Sequence, residues 1–277
     1  MNTLNAFLTN LTRIVLSLFS GWSPLATLVV LSACFGIVVA IAFRFTSNQT
    51  KLRRVADLCR AQVLAIKLFK DEPKTIVSAL GTLGHFTLVR MWHLLPSMFL
   101  LIVPSVLLLV HLAVWYEYRP LSTGDSAVLE LQLAEKAWAN YPLVAPEVPS
   151  QLVLETPPLR DSQEKSIWWR VRVTEAVPAT IRWRIGAEVF DKDIAVAEQK
   201  DAFYPVSVRR PGSGWWDRLL HPTETALQED CPLRGIEVHH ERRTTPLFGW
   251  DIPWWATVLI VSMLAAILVR PLVKVQF

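Results

Sequence analysis

The residues of this sequence that could do chemistry are dispersed along the chain. Cys34, Cys59 and Cys231 lie far apart and match no zinc-ligand spacing. The adjacent His239 and His240 would point to opposite faces of a strand. The sequence contains no phosphate-binding glycine loop, no G-x-S-x-G, no H-E-x-x-H and no C-x-x-C. We therefore expect no enzymatic activity, no cofactor and no metal site.

The other feature with chemical potential is a cluster of positively charged residues. Residues 44–93 contain nine lysines and arginines against three acids, whereas residues 117–251 contain sixteen against twenty-one. The stretch KLRRVADLCR, residues 51–60, is the densest part of the basic segment. Anionic lipid headgroups or ribosomal RNA are acidic partners that such a stretch can bind. The candidates for this contact are Lys51, Arg53, Arg54 and Arg60.

Three long runs without formal charge flank these charges. They are residues 25–43, 94–116 and 252–269. About 20 apolar residues cross the hydrocarbon core of a bilayer. We therefore predict transmembrane helices over residues 23–45, 93–116 and 251–271.

The distribution of charge predicts the orientation of these spans. Short loops rich in lysine and arginine stay in the cytoplasm, which assigns residues 46–92 to that side. The N-terminus and residues 117–250 are then outside, and the tail 272–277 is cytoplasmic. We expect an integral protein of a bacterial inner membrane.

The basic segment has the pattern of two amphipathic helices. Apolar residues recur at three- and four-residue steps on both sides of Asp71-Glu72-Pro73. Proline suits the first turn of a helix, where its missing N–H has no partner to lose. Residues 46–92 are therefore predicted to form an antiparallel helical hairpin.

Residues 1–22 also have a helical period, with apolar positions opposite Asn, Thr, Ser and Arg. We therefore predict that residues 1–22 form an amphipathic helix that lies in the membrane interface. The alternative is a helix packed on the outer domain. Further along, His111 is the most polar residue inside the predicted spans. It either faces protein or water at membrane depth or is simply interfacial.

Residues 117–250 have the pattern of a β domain. AVLELQL, IWWRVRV and TIRWRIG alternate apolar and polar positions, and DIAVA, YPVSVRR and GIEVHHE follow. TEAVPA is interpreted as a hairpin connection between two strands. Segment 211–233 interrupts the pattern and predicts a short helix near residues 215–220. Short strands of this kind predict an extracytoplasmic all-β sandwich of immunoglobulin-like type.

The order of these parts resembles the YidC-type membrane insertase superfamily, in particular its three-span members. The resemblance rests on the hairpin KLRRVADLCRAQVLAIKLFKDEPKTIVSALGTLG, on MWHLLPSMFLLIVP, and on VWYEYRPL. It implies a groove that is open to lipid and cytoplasm and that eases a hydrophilic segment into the bilayer. The candidates for lining this groove are Arg44, Arg90, His93 and His111.

Two functions are consistent with these features. The first is an insertase or membrane chaperone, with membrane lipids, nascent membrane proteins or the ribosome as partners. The second is a structural or sensory membrane subunit whose outer β-sandwich binds a partner protein.

Overall fold

A computed structural model describes residues 2–19, 21–69, 71–141, 144–199, 202–247 and 249–273. The chain divides into two compact units. The β unit comprises Met1–Pro24 and Leu107–Trp254. The helical unit comprises Leu25–Val106 and Trp255–Phe277.

Helices occur in both units. In chain order they are α1 (Asn2–Ser17), α2 (Pro24–Thr46), α3 (Gln49–Leu68), α4 (Pro73–Tyr116), α5 (Glu135–Asn140), α6 (Trp215–Leu220) and α7 (Trp254–Val273). Within the described residues, α2, α4 and α7 are the three helices long and apolar enough to cross a membrane. The predicted spans at 23–45, 93–116 and 251–271 overlap these three helices, but residue 23 precedes α2 and residues 251–253 precede α7.

The strands all belong to the β unit. They are β1 (Ser126–Leu133), β2 (Pro146–Glu147), β3 (Leu152–Leu154), β4 (Leu159–Asp161), β5 (Ser166–Val173), β6 (Ala179–Ile185), β7 (Glu188–Ile194), β8 (Arg209–Arg210), β9 (Leu233–His239), β10 (Pro246–Leu247) and β11 (Trp250–Asp251). The described strands form an antiparallel sheet in the order β3-β5-β1-β9-β8, with β4 also on β5, and a second sheet in the order β2-β6-β7. A separate ribbon joins β10 to β11.

The two larger sheets contribute to one hydrophobic core. Trp169 of β5 and Trp183 of β6 are 2% and 0% exposed, and their ring centroids are 6.4 Å apart. The alternation predicted for both strands is confirmed, because the arginines between the buried positions are exposed. Burying one residue in two is what gives each strand its inner and outer face.

The predicted hairpin over TEAVPA is wrong. β5 pairs with β1 on one edge and with β3 and β4 on the other, so it has no free edge for β6. β6 therefore pairs with β7 in the second sheet. Two other predicted strands are shorter than expected. Of YPVSVRR only Arg209 and Arg210 form a strand, β8. The Val206 N–H of the same segment donates instead to the Val114 carbonyl (2.8 Å). DIAVA lies mostly beyond the end of β7.

α4 joins two parts that the sequence analysis separated. Its 44 residues continue from the hairpin through the uncharged run without a break at residue 93. At 1.5 Å per residue its length is about 66 Å, roughly twice the hydrocarbon thickness of a bilayer. No glycine or proline interrupts residues 85–95, so nothing in the local sequence ends the helix there. Pro96 and Pro104 lie inside it.

The local sequence explains where α3 and α4 begin. Asn48 caps α3 by accepting the Lys51 N–H (3.1 Å). Pro73 is the first residue of α4, where a proline is tolerated because helix N-termini lack partners for their N–H groups. The predicted tail 272–277 lies outside the described residues from residue 274 onwards.

Small residues bring α2 close to α7 within the helical unit. Ser32, Gly36 and Ala40 are buried on one side of α2. A Cβ added to Gly36 would lie 2.1 Å from the Ser262 carbonyl oxygen of α7, so only glycine fits. Such small-residue contacts are typical of helix packing in membranes.

Candidate functional site in the helical unit

Three polar residues lie on the inward side of α4, where its uncharged run begins. Arg90 and His93 are half-buried, and Ser97 is 2% exposed. Positions i, i+3 and i+7 share one face of a helix, so the three side chains form one polar stripe. The ring Nδ1 of His93 donates to the Val89 carbonyl (2.7 Å), which leaves Nε2 as the other polar atom of the ring.

An apolar cluster adjoins this polar stripe. Phe43 and Leu52 are buried, and Leu94, Leu101 and Val273 pack against them. The cluster thus draws on α2, α3, α4 and α7. Leu94 is four residues after Arg90 and three before Ser97, so the apolar cluster lies beside the polar stripe on α4. An arrangement of this kind can hold a polar group against apolar surroundings.

Arg44 lies in the last turn of α2 and is exposed. Its neighbour Phe43 belongs to the apolar cluster. A cation at this end of a helix interacts favourably with the helix dipole. Arg44, Arg90 and His93 are therefore all in the helical unit.

His111 is not grouped with them. It lies further along α4, in the part that belongs to the β unit, and is 4% exposed. Its Nδ1 donates to the Leu107 carbonyl (2.8 Å), and Nε2 has no hydrogen-bond partner among the described residues. The side chain is buried within protein rather than displayed at a surface.

The exposed surface of α3 is basic. It carries Lys51, Arg53, Arg54 and Arg60, which are all exposed. Leu52 and Ala56 of the same helix are buried. Arg60 pairs with Asp57 at 3.0 Å, but both side chains are about 70% exposed, so the pair adds little stability. The surface can therefore bind anions such as lipid or nucleic-acid phosphates.

The described residues offer no alternative metal or disulfide chemistry. No group of three or more His, Cys, Asp or Glu side chains is positioned there to hold a metal ion. Cys34, Cys59 and Cys231 are free thiols, and Cys231 is buried.

One buried charge in the β unit escaped the sequence analysis. The Lys192 side chain is fully buried, and its ammonium group contacts Glu224 and donates to the Ser207 carbonyl (2.6 Å) and the Asp193 carbonyl (3.2 Å). Burial lowers the pKa of Lys192, and the Glu224 carboxylate acts in the opposite direction. All three N–H donors have partners, so Lys192 ties β7 to two loops and is not poised as a base. The alternation Phe190, Lys192, Ile194 was the available signal, since it places the lysine on the inner face.

Comparison with known proteins gives no match: no family model fits the sequence, and neither the curated proteins nor the solved structures include a similar chain.

Proposed function

We propose that this protein is a membrane-protein insertase or chaperone that eases hydrophilic segments into the bilayer. The observation that carries the proposal is the polar stripe of Arg90, His93 and Ser97. A polar group among apolar helices is expensive, and it usually faces protein or water where a substrate passes. The stripe gives a hydrophilic segment of a client a favourable partner next to lipid.

The three apolar helices leave room for such a client. Only 28%, 17% and 11% of the most apolar stretches of α2, α4 and α7 are buried. The remaining surface is available to lipid and to a client helix, as in the lipid-open groove of the YidC-type superfamily that the layout resembles. Arg44 stands at the end of α2 and extends the set of cations that a client would meet.

The hairpin is proposed to receive the client on the cytoplasmic side. Its exposed cations fit anionic lipid headgroups, the ribosome or a nascent chain. The excess of lysine and arginine in residues 44–93 supports this side by the positive-inside rule. In this proposal the β unit lies outside a bacterial inner membrane, and its two sheets form an immunoglobulin-like sandwich. His111 is then part of that outer unit and not of the client groove.

Site-specific photocrosslinking tests the proposal. A photoreactive residue at position 93 or 97, with Arg90 intact, should capture a ribosome-bound nascent membrane protein. The matched control uses Leu88 and Phe99 of the same helix, each 67% exposed, which should contact mainly lipid. A folded protein that gives no client adduct, or equal adducts from both sides of α4, would count against an insertase.

A structural or sensory subunit is the second candidate. Trp215 and Trp216 favour it. They are 54% and 66% exposed on the β unit, and tryptophan is enriched at protein–protein interfaces. Purification from native membranes with one stoichiometric partner, and no client adducts, would favour this function over the first.

A further inference from the structure

The N-terminal helix α1 presents its apolar side outwards. Phe7, Leu11, Ile14 and Leu18 are 63%, 45%, 61% and 75% exposed. Phe7, Leu11 and Ile14 lie on one face of the helix by their spacing of four and three residues, and Leu18 directly follows its last residue, Ser17. We call these four residues the α1 apolar face.

The opposite side of α1 packs on the β unit. Asn5 and Leu16 are buried, and the Asn5 side-chain amide donates to the Arg218 carbonyl of α6 (3.1 Å). Thr9 and Arg13 line a cavity of about 300 Å³ that the β unit completes. Much of the inward side of the helix is thus polar, while the apolar face remains uncovered.

A helix surrounded by water would turn its apolar face the other way, towards the β unit. A helix on a water-soluble domain turns its apolar stripe to the core and its polar side to solvent. Leaving a large apolar side chain in water is unfavourable relative to burying it, and the α1 apolar face contains four of them. The medium against this face is therefore apolar.

Two further features indicate that this medium is a lipid bilayer. α6, which Asn5 joins to α1, carries the exposed tryptophans Trp215 and Trp216, whose ring centroids are 4.2 Å apart. Tryptophan is enriched at membrane–water interfaces. In addition, only six residues connect Ser17 to Pro24, the start of the apolar helix α2. The seven Cα–Cα steps from Ser17 to Pro24 reach at most about 25 Å, so α1 ends close to where the chain enters a span.

We propose that the α1 apolar face and the tryptophans of α6 insert into the interface of the bilayer and hold the β unit on the membrane surface. The contact is with lipid acyl chains and does not depend on the function proposed above. In this arrangement α1 contacts lipid with its apolar face and the β unit with its polar side. The contact sets the distance between the β unit and the bilayer.

Spin labels on the full-length protein in phosphatidylcholine nanodiscs test this proposal. Cys34 and Cys59 are replaced by alanine, and single cysteines are placed along α1. Cys231 is buried and is kept, and the protein that contains Cys231 alone is the control for background labelling. At positions 7, 11, 14 and 18 the ratio of accessibility to oxygen over a water-soluble nickel chelate should be high. It should fall at Ser17 and oscillate with the helical period. A label at Val189, an exposed apolar residue of β7, should remain accessible to the nickel chelate.

The other outcomes overturn the proposal. Equal access of the nickel chelate to all positions of α1 would mean that the apolar face is in water. Dipolar broadening between identical labels at position 14 would identify a second copy of the chain as the occupant. Immobile labels that neither reagent reaches would identify a protein partner instead of lipid.

Discussion

The β unit and the helical unit differ in how much of their apolar surface the protein itself buries. The β unit closes two sheets over Trp169, Trp183 and their neighbours, which are almost completely buried. The helical unit leaves most of the surface of α2, α4 and α7 uncovered. Apolar residues thus form a self-contained core in one unit and an exposed surface in the other.

The charges follow the same division. The β unit encloses the ammonium group of Lys192, which is 1% exposed and contacts Glu224. The helical unit displays Lys51, Arg54 and Arg60 on its surface. An enclosed charge must have its partners inside the protein, whereas an exposed cation is available to an external anion. This difference between enclosed and exposed groups can be tested in both units.

The largest effect is expected from emptying the core of the β unit. Trp183→Ala removes a fully buried ring next to Trp169, so the free energy of unfolding should fall by about 3–5 kcal/mol. Pulse proteolysis of the full chain in nanodiscs, read out on fragments of the β unit, measures this change. The matched control is Trp250→Ala, which removes a ring that is 77% exposed and should cost about 0.5 kcal/mol or less. Equal losses in the two variants would contradict a closed core.

A smaller effect is expected from acidifying the β unit. Burial, assisted by the charge of Lys192, lowers the pKa of His240 to about 4 from its ordinary 6.5. Because the unfolded chain binds the proton more tightly, the β unit keeps its full stability above pH 6.5 and loses it as the pH falls towards 4. The loss amounts to about 3 kcal/mol for this group.

His240→Asn isolates this contribution. The ring Nδ1 of His240 faces the Arg119 carbonyl at 3.2 Å, and the asparagine amide can keep that donor without titrating. Unfolding measured at several pH values between 4 and 7 should have a shallower slope in the variant. Identical slopes in the two proteins would show that His240 is not buried as a neutral ring.

Much of this division could be predicted from periodicity alone. The alternation in IWWRVRV and TIRWRIG fixes which side chains enter the core, because a strand has a period of two. Length and the absence of charge likewise identify the three apolar helices. These features depend only on residues close to one another in the chain.

What the sequence did not predict depends on long-range pairing. TEAVPA resembles a hairpin connection, and only the occupied edges of β5 exclude that pairing. Nothing local indicates which side of α1 faces the β unit, since Asn5 finds its acceptor 213 residues away. In the candidate site, Arg90 and His93 were anticipated as polar groups near a span. Ser97 was missed because a serine inside a long apolar run has no distinctive local pattern.

A third effect concerns the packing of the helical unit, where little surface is covered. Gly36→Ala places a methyl group 2.1 Å from the Ser262 carbonyl oxygen, so α2 and α7 must move apart. Overpacking of this kind costs about 1–3 kcal/mol. The loss should appear in unfolding by titration with sodium dodecyl sulfate, followed by circular dichroism. The distance between spin labels at the exposed Val38 and Leu264 should also increase.

Gly81→Ala is the matched substitution at a glycine that packs against nothing, and its effect should be the smallest and opposite in sign. No atom lies within 4 Å of a Cβ added at Gly81, in the middle of the hairpin part of α4. Alanine is a better helix former than glycine by about 1 kcal/mol, so the variant should be slightly more stable in the same titration. A loss of stability as large as that of Gly36→Ala would mean that another part of the protein packs against Gly81. That result would contradict the description of the helical unit as largely uncovered.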